Sequence, residues 1–506
     1  MPCSTTLPRT RKPRTNHPAP FPWSSSDLAR DRSGTEKDCR SSRSPARIVA
    51  MPSRLLFPLA LLASLPLRTH AATATESAER PNILLIVSDD QGYADAGFQG
   101  AEDLETPHLD RLAASGIRFT NGYVTHPFCS PTRAGLLTGR YQQRFGHERN
   151  PIYDPSDLRE GLPTTEKLLP EHLQSAGYVT GWIGKWHLGA ARGFRPERRG
   201  FAETYGFIGG GHFFRDWIEG RGQFCVPIER NGNRSPAPAH LTPAFGTEAA
   251  AFIRRHATDP WFLYLAFNAP HTPLEPTDER FARFAAIEDP VRRKYAAQLS
   301  LMDDAVGEVL DALRTTGQAG RTIVFFFSDN GGPLTVNGSM NSPLRGKKGD
   351  LYEGGIRVPF LISWPDRIPA GRTDHRPVSS LDVFATSLSA AGVPMPIDRK
   401  YDSIDLLPVL TDATSEAPPH DFLFWRSGEL LAVRQGDWKL VRGSGPADEL
   451  YNLSKDVSET LDLSAAQPQI RARLATALDS WNGELAAPAF PGTEARMKKS
   501  GKAPVP

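Results

Sequence analysis

The feature that most constrains the fold is a set of short apolar runs, each followed by polar residues. Asn82–Ser88 reads NILLIVS, residues 261–267 read WFLYLAF and Thr322–Ser328 reads TIVFFFS. Continuous apolar runs of this length are typical of strands that are buried on both faces of a parallel sheet. Residues 178–183 and 359–364 are weaker candidates for the same sheet.

Helical patterns separate these runs. The longest lies between Tyr295 and Leu313, where apolar residues recur at helical spacing, and Gly317 is placed to end it. Shorter helices are predicted from Pro107 onward and over residues 165–176. Because strands alternate with helices, we predict an α/β sandwich with a mostly parallel central sheet flanked by helices, over residues 81–410.

The pattern changes beyond residue 410. Three short strand-like runs follow one another between residues 422 and 441, and residues 469–481 have a helical pattern. We therefore predict a smaller C-terminal domain over residues 411–490, with a short antiparallel sheet and one helix. Residues 491–506 are rich in lysine and are predicted to form a flexible, solvated tail.

The N-terminal residues form two segments of different composition. Residues 1–50 are rich in Pro, Ser and Arg, which indicates either disorder or an upstream start that is not used. From Met51, a basic residue, an apolar run and small residues around Ala71 predict a signal peptide over residues 51–71 and an exported protein, periplasmic or secreted. The run is shorter than the roughly 20 residues of a membrane span, so we expect no stable membrane anchor.

The charge balance argues against a nucleic-acid partner. The chain has 59 basic and 57 acidic residues, for a formal net charge of +2. The first 71 residues hold an excess of basic residues, so the remainder is mildly acidic. A general polyanion binder would carry the opposite charge.

Acidic residues close two of the predicted strands. Asp89 and Asp90 follow the first run, and Asp329 and Asn330 follow TIVFFFS. The carboxyl ends of parallel strands meet at one edge of a sheet, where ligands gather. Three carboxylates and an amide suit a hard cation, Ca²⁺ or less readily Mg²⁺. Either pair alone would fit a helix cap or a solvated loop better than a metal site.

Two further segments carry lysine and histidine at strand ends. The segment GKWHLG holds Lys185 and His187, which strand alternation places on one face. The segment NAPHTP holds His271 directly after residues 261–267. Such side chains can bind an anion and transfer a proton. On its own, His271 fits a structural histidine better.

The segment CSPTR, from Cys129 to Arg133, is continued by LTGR. Taken alone, it fits a buried free thiol near a helix start. Together with the blocks SDDQG, GKWHLG, SDNGG and EGG, it resembles the type I, formylglycine-dependent sulfatases of the alkaline-phosphatase-like superfamily. The resemblance covers about residues 81–365, in five ordered blocks.

The resemblance implies hydrolysis of a sulfate ester to alcohol and inorganic sulfate. A formylglycine-generating enzyme would convert Cys129 to Cα-formylglycine, whose hydrate is the nucleophile. In this reading His271 protonates the leaving alcohol and His187 removes a proton so that sulfate is expelled. The implied catalytic residues are Cys129, Arg133, Lys185, His187, His271 and Lys348. The implied metal ligands are Asp89, Asp90, Cys129, Asp329 and Asn330.

Several alternatives stay open at this point. A phosphoesterase or phosphonate monoester hydrolase of the same superfamily would use a similar site, and an exported glycan-binding protein without activity is a third reading. The substrate is a sulfated carbohydrate or an aryl sulfate. Loop residues 141–147 and 209–217 form either a sugar-binding rim or ordinary packing. The oligomeric state is left open.

Overall fold

The computed structural model describes residues 80–217, 219, 224–412, 414 and 417–493. The contacts within the chain separate residues 1–70 from a compact unit over residues 71–506, which holds every described residue. The predictions for residues 1–79 and for most of the C-terminal tail therefore lie outside the described residues. No helix in the described ranges is long and apolar enough to cross a membrane.

The described residues of the main domain form twelve strands, and the apolar runs predicted five of them, at residues 82–88, 179–185, 261–266, 322–328 and 360–363. The twelve strands are β1 (Asn82–Ser88), β2 (Ile117–Phe119), β3 (Gly122–Tyr123), β4 (Val179–Lys185), β5 (Glu203–Phe207), β6 (Glu229–Arg230), β7 (Asn233–Arg234), β8 (Trp261–Ala266), β9 (Thr322–Ser328), β10 (Phe360–Ser363), β11 (Arg372–Asp374) and β12 (Val378–Ser379). Ten of them form one sheet in the order β11-β2-β10-β9-β1-β8-β4-β5-β6-β7, and β3 pairs with β12.

The central strands of this sheet are parallel. β1 pairs in parallel with β8 and with β9, and β4 pairs in parallel with β8 and β5. β10 departs from this pattern, because it runs antiparallel to both β9 and β2. The prediction of a mostly parallel sheet is confirmed.

Helices cover both faces of the sheet. They are α1 (Pro107–Ala114), α2 (Cys129–Thr138), α3 (Leu169–Ser175), α4 (Leu241–Arg255), α5 (Asp278–Arg283), α6 (Pro290–Thr315), α7 (Glu353–Ile356), α8 (Asp382–Ala390), α9 (Leu407–Thr411) and α10 (Pro468–Gly483). On one face Leu85 of β1 shares a core with Leu136 of α2, and on the other face Leu84 shares a core with Met302 of α6. These two cores confirm the α/β sandwich.

The remaining strands form a small C-terminal sheet. β13 (Leu423–Ser427), β14 (Leu430–Gln435), β15 (Trp438–Arg442) and β16 (Glu449–Asn452) pair antiparallel in chain order. α10 packs on them through Leu478 and Trp481. The sheet and its one helix are as predicted, although the sequence reasoning missed β16. The domain boundary near residue 410 stays a prediction.

Candidate active site

Two adjacent parallel strands deliver the acidic residues to one point. Ser88 at the end of β1 pairs in register with Ser328 at the end of β9, so the residues that follow them are neighbours. The backbone N–H of Asp90 donates to Asp329 Oδ1 at 3.3 Å, and Asn330 Nδ2 donates to Asp90 Oδ1 at 2.7 Å. These residues and Asp89 are all buried. The convergence predicted from the two strand ends is therefore present.

Cys129 lies at the start of α2 and faces this cluster. Phe128 is the N-cap, and Cys129 is the first helical residue and is 1% exposed. The thiol donates to Asp89 Oδ1 at 3.4 Å. Burial, with the charges of Asp329 and Asp89, raises the pKa of the Cys129 thiol far above its ordinary range. Unmodified Cys129 is therefore a poor thiolate nucleophile.

Three cationic side chains meet the three carboxylates. Lys185 Nζ donates to Asp89 Oδ2 at 2.5 Å, and Lys348 Nζ donates to Asp90 Oδ2 at 2.9 Å. Arg133 donates through Nε and Nη2 to Asp329 Oδ2, at 3.0 and 2.8 Å. The neighbouring Lys347 is exposed, so Lys348 is the lysine of this loop that enters the site.

Both histidines lie at the same site. His271 Nε2 is 3.6 Å from Asp90 Oδ2, and His271 Nδ1 donates to the carbonyl oxygen of Thr272 at 2.5 Å. Burial lowers the pKa of His271 to about 4, with Lys348 and Lys185 adding to the effect and Asp90 opposing it. Burial and the charges of Lys185 and Arg133 lower the pKa of His187 well below its usual range. A neutral imidazole of this kind can accept a proton.

The carboxylates differ in their electrostatic environment. Burial alone would raise the pKa of Asp90, but Lys348 and His271 hold it at about 2. Burial and the negative charge of Asp89 raise the pKa of Asp329. A cation placed between these oxygens would relieve their mutual repulsion.

The donor set fits a divalent cation. Asp89, Asp90, Cys129 and His271 each present one possible ligand atom, and these atoms lie within 4.8 Å of one another. Asn330 Oδ1 is buried and accepts no hydrogen bond from any described residue. Carboxylate and amide oxygens are the ligands that Ca²⁺ and Mg²⁺ prefer. His271 was not among the predicted ligands, and its imidazole nitrogen is a softer donor than these oxygens.

The two loops that the sequence offers as a substrate rim have different environments in the structure. Tyr141, Gln142, Gln143 and His147 are buried, so residues 141–147 mainly pack the interior. In the other loop, a Cβ on Gly210 would lie 2.4 Å from His187 Nε2 and a Cβ on Gly211 would lie 2.1 Å from the Phe224 ring. A side chain at either position would therefore have to displace one of these two rings.

Two residues near the site were missed by sequence reasoning. The Tyr264 hydroxyl accepts from Arg133 Nη1 at 3.2 Å, and a tyrosine within the apolar run of β8 was the available signal. The partly exposed Phe224 ring lies 6.4 Å from the His271 ring, centroid to centroid, and 6.3 Å from Phe213. No sequence pattern pointed to Phe224, because a loop brings it to His271.

Comparison with known proteins matches this chain to sulfatases. The Sulfatase family profile matches residues 81–393, and the profile described as N-sulphoglucosamine sulphohydrolase, C-terminal, matches residues 347–482. N-acetylgalactosamine-6-sulfatase from Sus scrofa is 38% identical over 390 residues, which is 72% of each chain, and the Homo sapiens protein gives the same values. Arylsulfatase J from Mus musculus is 30% identical, over 82% of this chain and 77% of its own.

Solved structures give the same result. The crystal structure of Ps i-CgsB in complex with k-i-k-neocarrahexaose is 35% identical, with a TM-score of 0.77, and the match covers 81% of this chain and 94% of that one. The fold and the site define a hydrolase of the alkaline-phosphatase-like superfamily. The chain belongs to the sulfatase family within it and is a sulfuric ester hydrolase.

Proposed function

We propose that this enzyme hydrolyses the sulfate ester of a sulfated saccharide, using formylglycine made from Cys129 and a bound Ca²⁺, or less readily Mg²⁺. The observation that carries the proposal is the position of Cys129, at the first turn of α2 and 3.4 Å from a carboxylate that also binds Lys185. Asp89, Asp90, Asp329 and Asn330 would hold the cation, with position 129 beside them. The cation would polarise the sulfate oxygens.

The chain's own residues divide the proton transfers. The hydrated aldehyde at position 129 supplies an oxygen nucleophile that can release sulfate again by re-forming its carbonyl. The neutral His271 ring carries its proton on Nδ1, so Nε2 first takes up, through solvent, the proton that the attacking hydroxyl loses, and then delivers it to the leaving oxygen as the bond between sulfur and the alcohol oxygen breaks. His187 accepts the proton that the hydrate loses when sulfate leaves. One water is consumed, and the products are the alcohol and inorganic sulfate.

The buried cations bind the transferring anion. Arg133, Lys185 and Lys348 neutralise the three carboxylates in this structure. The three positive and three negative side chains cancel, so a bound divalent cation would give the site a net positive charge, which favours binding of a sulfate group. Preorganised charges in a water-poor site usually supply the largest share of catalysis. The N-terminus of α2 adds its partial positive charge.

The surroundings of His271 support a leaving alcohol that is part of a saccharide ring. Phe224 is partly exposed beside the histidine that would face the leaving oxygen, and the partly exposed Phe213 lies against Phe224. Aromatic rings provide apolar area that can stack on the face of a saccharide. The names of the relatives and of the carrageenan-oligosaccharide complex support a sulfated saccharide over a simple aryl sulfate.

We further propose that the protein is exported through residues 51–71 and matured by a formylglycine-generating enzyme. The domain division at residue 410 belongs to the same proposal.

The decisive experiment compares sulfate and phosphate esters of one phenol, followed by sulfate release from a panel of defined sulfated saccharides. Preferred turnover of the sulfate ester, and a saccharide better than the phenol, are the expected results. A clear preference for phosphate would overturn the proposal in favour of a phosphoesterase. No sulfate release from any saccharide, with the phenol sulfate turned over, would leave an aryl sulfatase.

A further inference from the structure

We propose that Ser130 and His147 are positioning residues that hold His187, the proposed proton acceptor, against the helix that carries position 129. The inference rests on the proposed role of His187. Ser130 is the second residue of the CSPTR segment, a position that the C-x-P-x-R pattern leaves variable. His147 belongs to the buried loop of residues 141–147.

Within the described part of the chain, the His187 side chain makes no hydrogen bond that would orient it. Its Nδ1 is buried without a partner among the described residues, and its ring lies against Gly210, where a Cβ would come within 2.4 Å of Nε2. Its backbone has φ of 59°, a left-handed conformation that is uncommon for residues other than glycine. Such a conformation persists only when its surroundings enforce it.

The enforcing contacts are made by the backbone of His187. Its N–H donates to the carbonyl oxygen of Ile208 at 3.1 Å. Its carbonyl oxygen accepts from Ser130 Oγ at 2.5 Å. Ser130 directly follows Cys129 in α2 and is fully buried. One side chain therefore links the helix of the nucleophile to the strand end that presents the base.

His147 completes the link and sets its direction. A carbonyl oxygen can only accept, so the single hydroxyl proton of Ser130 points to His187. The Ser130 oxygen then accepts from His147 Nε2 at 2.7 Å, which places a proton on that nitrogen. Burial lowers the pKa of His147 to about 4, so the ring is neutral near pH 7. The Ser130 N–H is separately bound by Asn150 Oδ1 at 3.1 Å.

The test uses the full-length, metal-loaded protein whose conversion at position 129 has been verified by intact mass. Ser130→Ala removes both hydrogen bonds of the link and His147→Phe removes one of them, and both variants keep the C-x-P-x-R pattern. His147→Gln keeps an N–H near the position of Nε2. Thr132→Ala is the matched control, because it removes a buried hydroxyl of the same helix whose 2.8 Å bond goes to the carbonyl oxygen of His126.

We expect Ser130→Ala and His147→Phe to lower kcat by about 10- to 100-fold, the range that a misplacement of about 1 Å can produce, with KM changed far less. His147→Gln should recover much of the loss, and Thr132→Ala should keep kcat. Hydrogen exchange followed by mass spectrometry should show faster exchange in the peptide around His187 in the first two variants, with β1 unchanged.

Unchanged exchange around His187, or equal losses in His147→Gln and His147→Phe, would overturn the inference. So would a loss that appears in KM alone, or an equal loss of kcat in Thr132→Ala. These outcomes are separable from failure of the proposed function, because that failure would show in the parent protein as a preference for phosphate esters.

Discussion

Lys439, in the C-terminal sheet, places its Nζ 2.8 Å from Oε1 of Glu353, in α7 of the main domain. Both side chains are fully buried, and Lys439 Nζ is also 2.9 Å from Glu459 Oε1. Glu459 Oε2 accepts the backbone N–H of Glu353 at 2.7 Å. α7 begins five residues after Lys348, so the C-terminal sheet holds the loop that carries an active-site lysine.

Lys439→Met should destabilise the fold by about 3–5 kcal/mol, because it removes the buried cation that Glu353 and Glu459 share, although Glu353 keeps Arg357 at 3.2 Å. Urea unfolding at neutral pH, followed by tryptophan fluorescence, measures the change. The control is Lys455→Met, at an exposed lysine, which should change the free energy of unfolding by less than about 0.5 kcal/mol. Equal effects of the two substitutions would contradict a special role for the Lys439 pair.

The Glu353 carboxyl should make stability depend on pH. Burial would raise its pKa, but Lys439, Arg357 and Arg434 hold the pKa at about 2, below the ordinary 4.5. A carboxyl whose folded pKa is depressed stabilises the fold above its unfolded pKa and loses that contribution as the pH falls toward the folded value. Glu353→Gln should therefore cost about 3 kcal/mol near pH 7 and progressively less in acid.

Unfolding free energies of Glu353→Gln and its parent, measured from about pH 7 downward, test this expectation. Burial raises the pKa of Glu459 to about 7, so Glu459 also titrates near pH 7, and the change below about pH 5 is the part that reports Glu353. Glu429→Gln changes an exposed carboxyl and is the control. A difference from the parent that stayed constant through the acid range would show that Glu353 acts by packing alone.

Cys129→Ala should abolish turnover, with kcat lowered by on the order of 10⁴ or more, because removal of a nucleophile leaves only binding and electrostatic effects. Cys225→Ala makes the same chemical change at the other described cysteine and should keep activity within a few-fold. Intact mass of the parent should show the aldehyde in place of the thiol. Full activity in protein with an unmodified thiol would refute the formylglycine proposal.

Chelation should remove both activity and part of the stability. Asp89, Asp90 and Asp329 repel one another when no cation lies between them, and a cation that binds only the folded state adds about 2.7 kcal/mol at a concentration of 100 Kd. Thermal unfolding and sulfate release are measured after chelation and again after Ca²⁺ or Mg²⁺ is restored. We expect Ca²⁺ to recover more than Mg²⁺, and unchanged Tm and activity after verified metal removal would contradict a cation site.

Phe224→Ala should weaken saccharide binding. If the ring stacks on the leaving group, its loss costs about 0.5–1.5 kcal/mol, or roughly a 2- to 12-fold increase in KM. Phe224→Leu keeps apolar bulk and separates stacking from simple burial. Measuring both variants on a saccharide sulfate and on an acyclic alkyl sulfate is decisive, because a stacking ring should matter only for the cyclic substrate.

The local sequence pattern was sufficient to predict the site residues that directly follow strands. The runs of β1 and β9 are buried on both faces, so their apolar residues could be recognised without knowledge of any partner. Because parallel strands end at one edge, Asp89 and Asp329 could be expected to meet. The antiparallel direction of β10 could not be predicted, since its four residues bear no mark of strand direction.

The sequence by itself determined the class of fold, the acidic strand ends and the CSPTR segment, because each depends on neighbouring residues and their spacing. Only the tertiary structure decided that residues 141–147 lie inside, that Ser130 binds the backbone of His187, and that Lys439 pairs with Glu353. These contacts join residues 57 and 86 positions apart in the last two cases. Their partners are chosen by the packing of whole elements, which no local pattern of residues encodes.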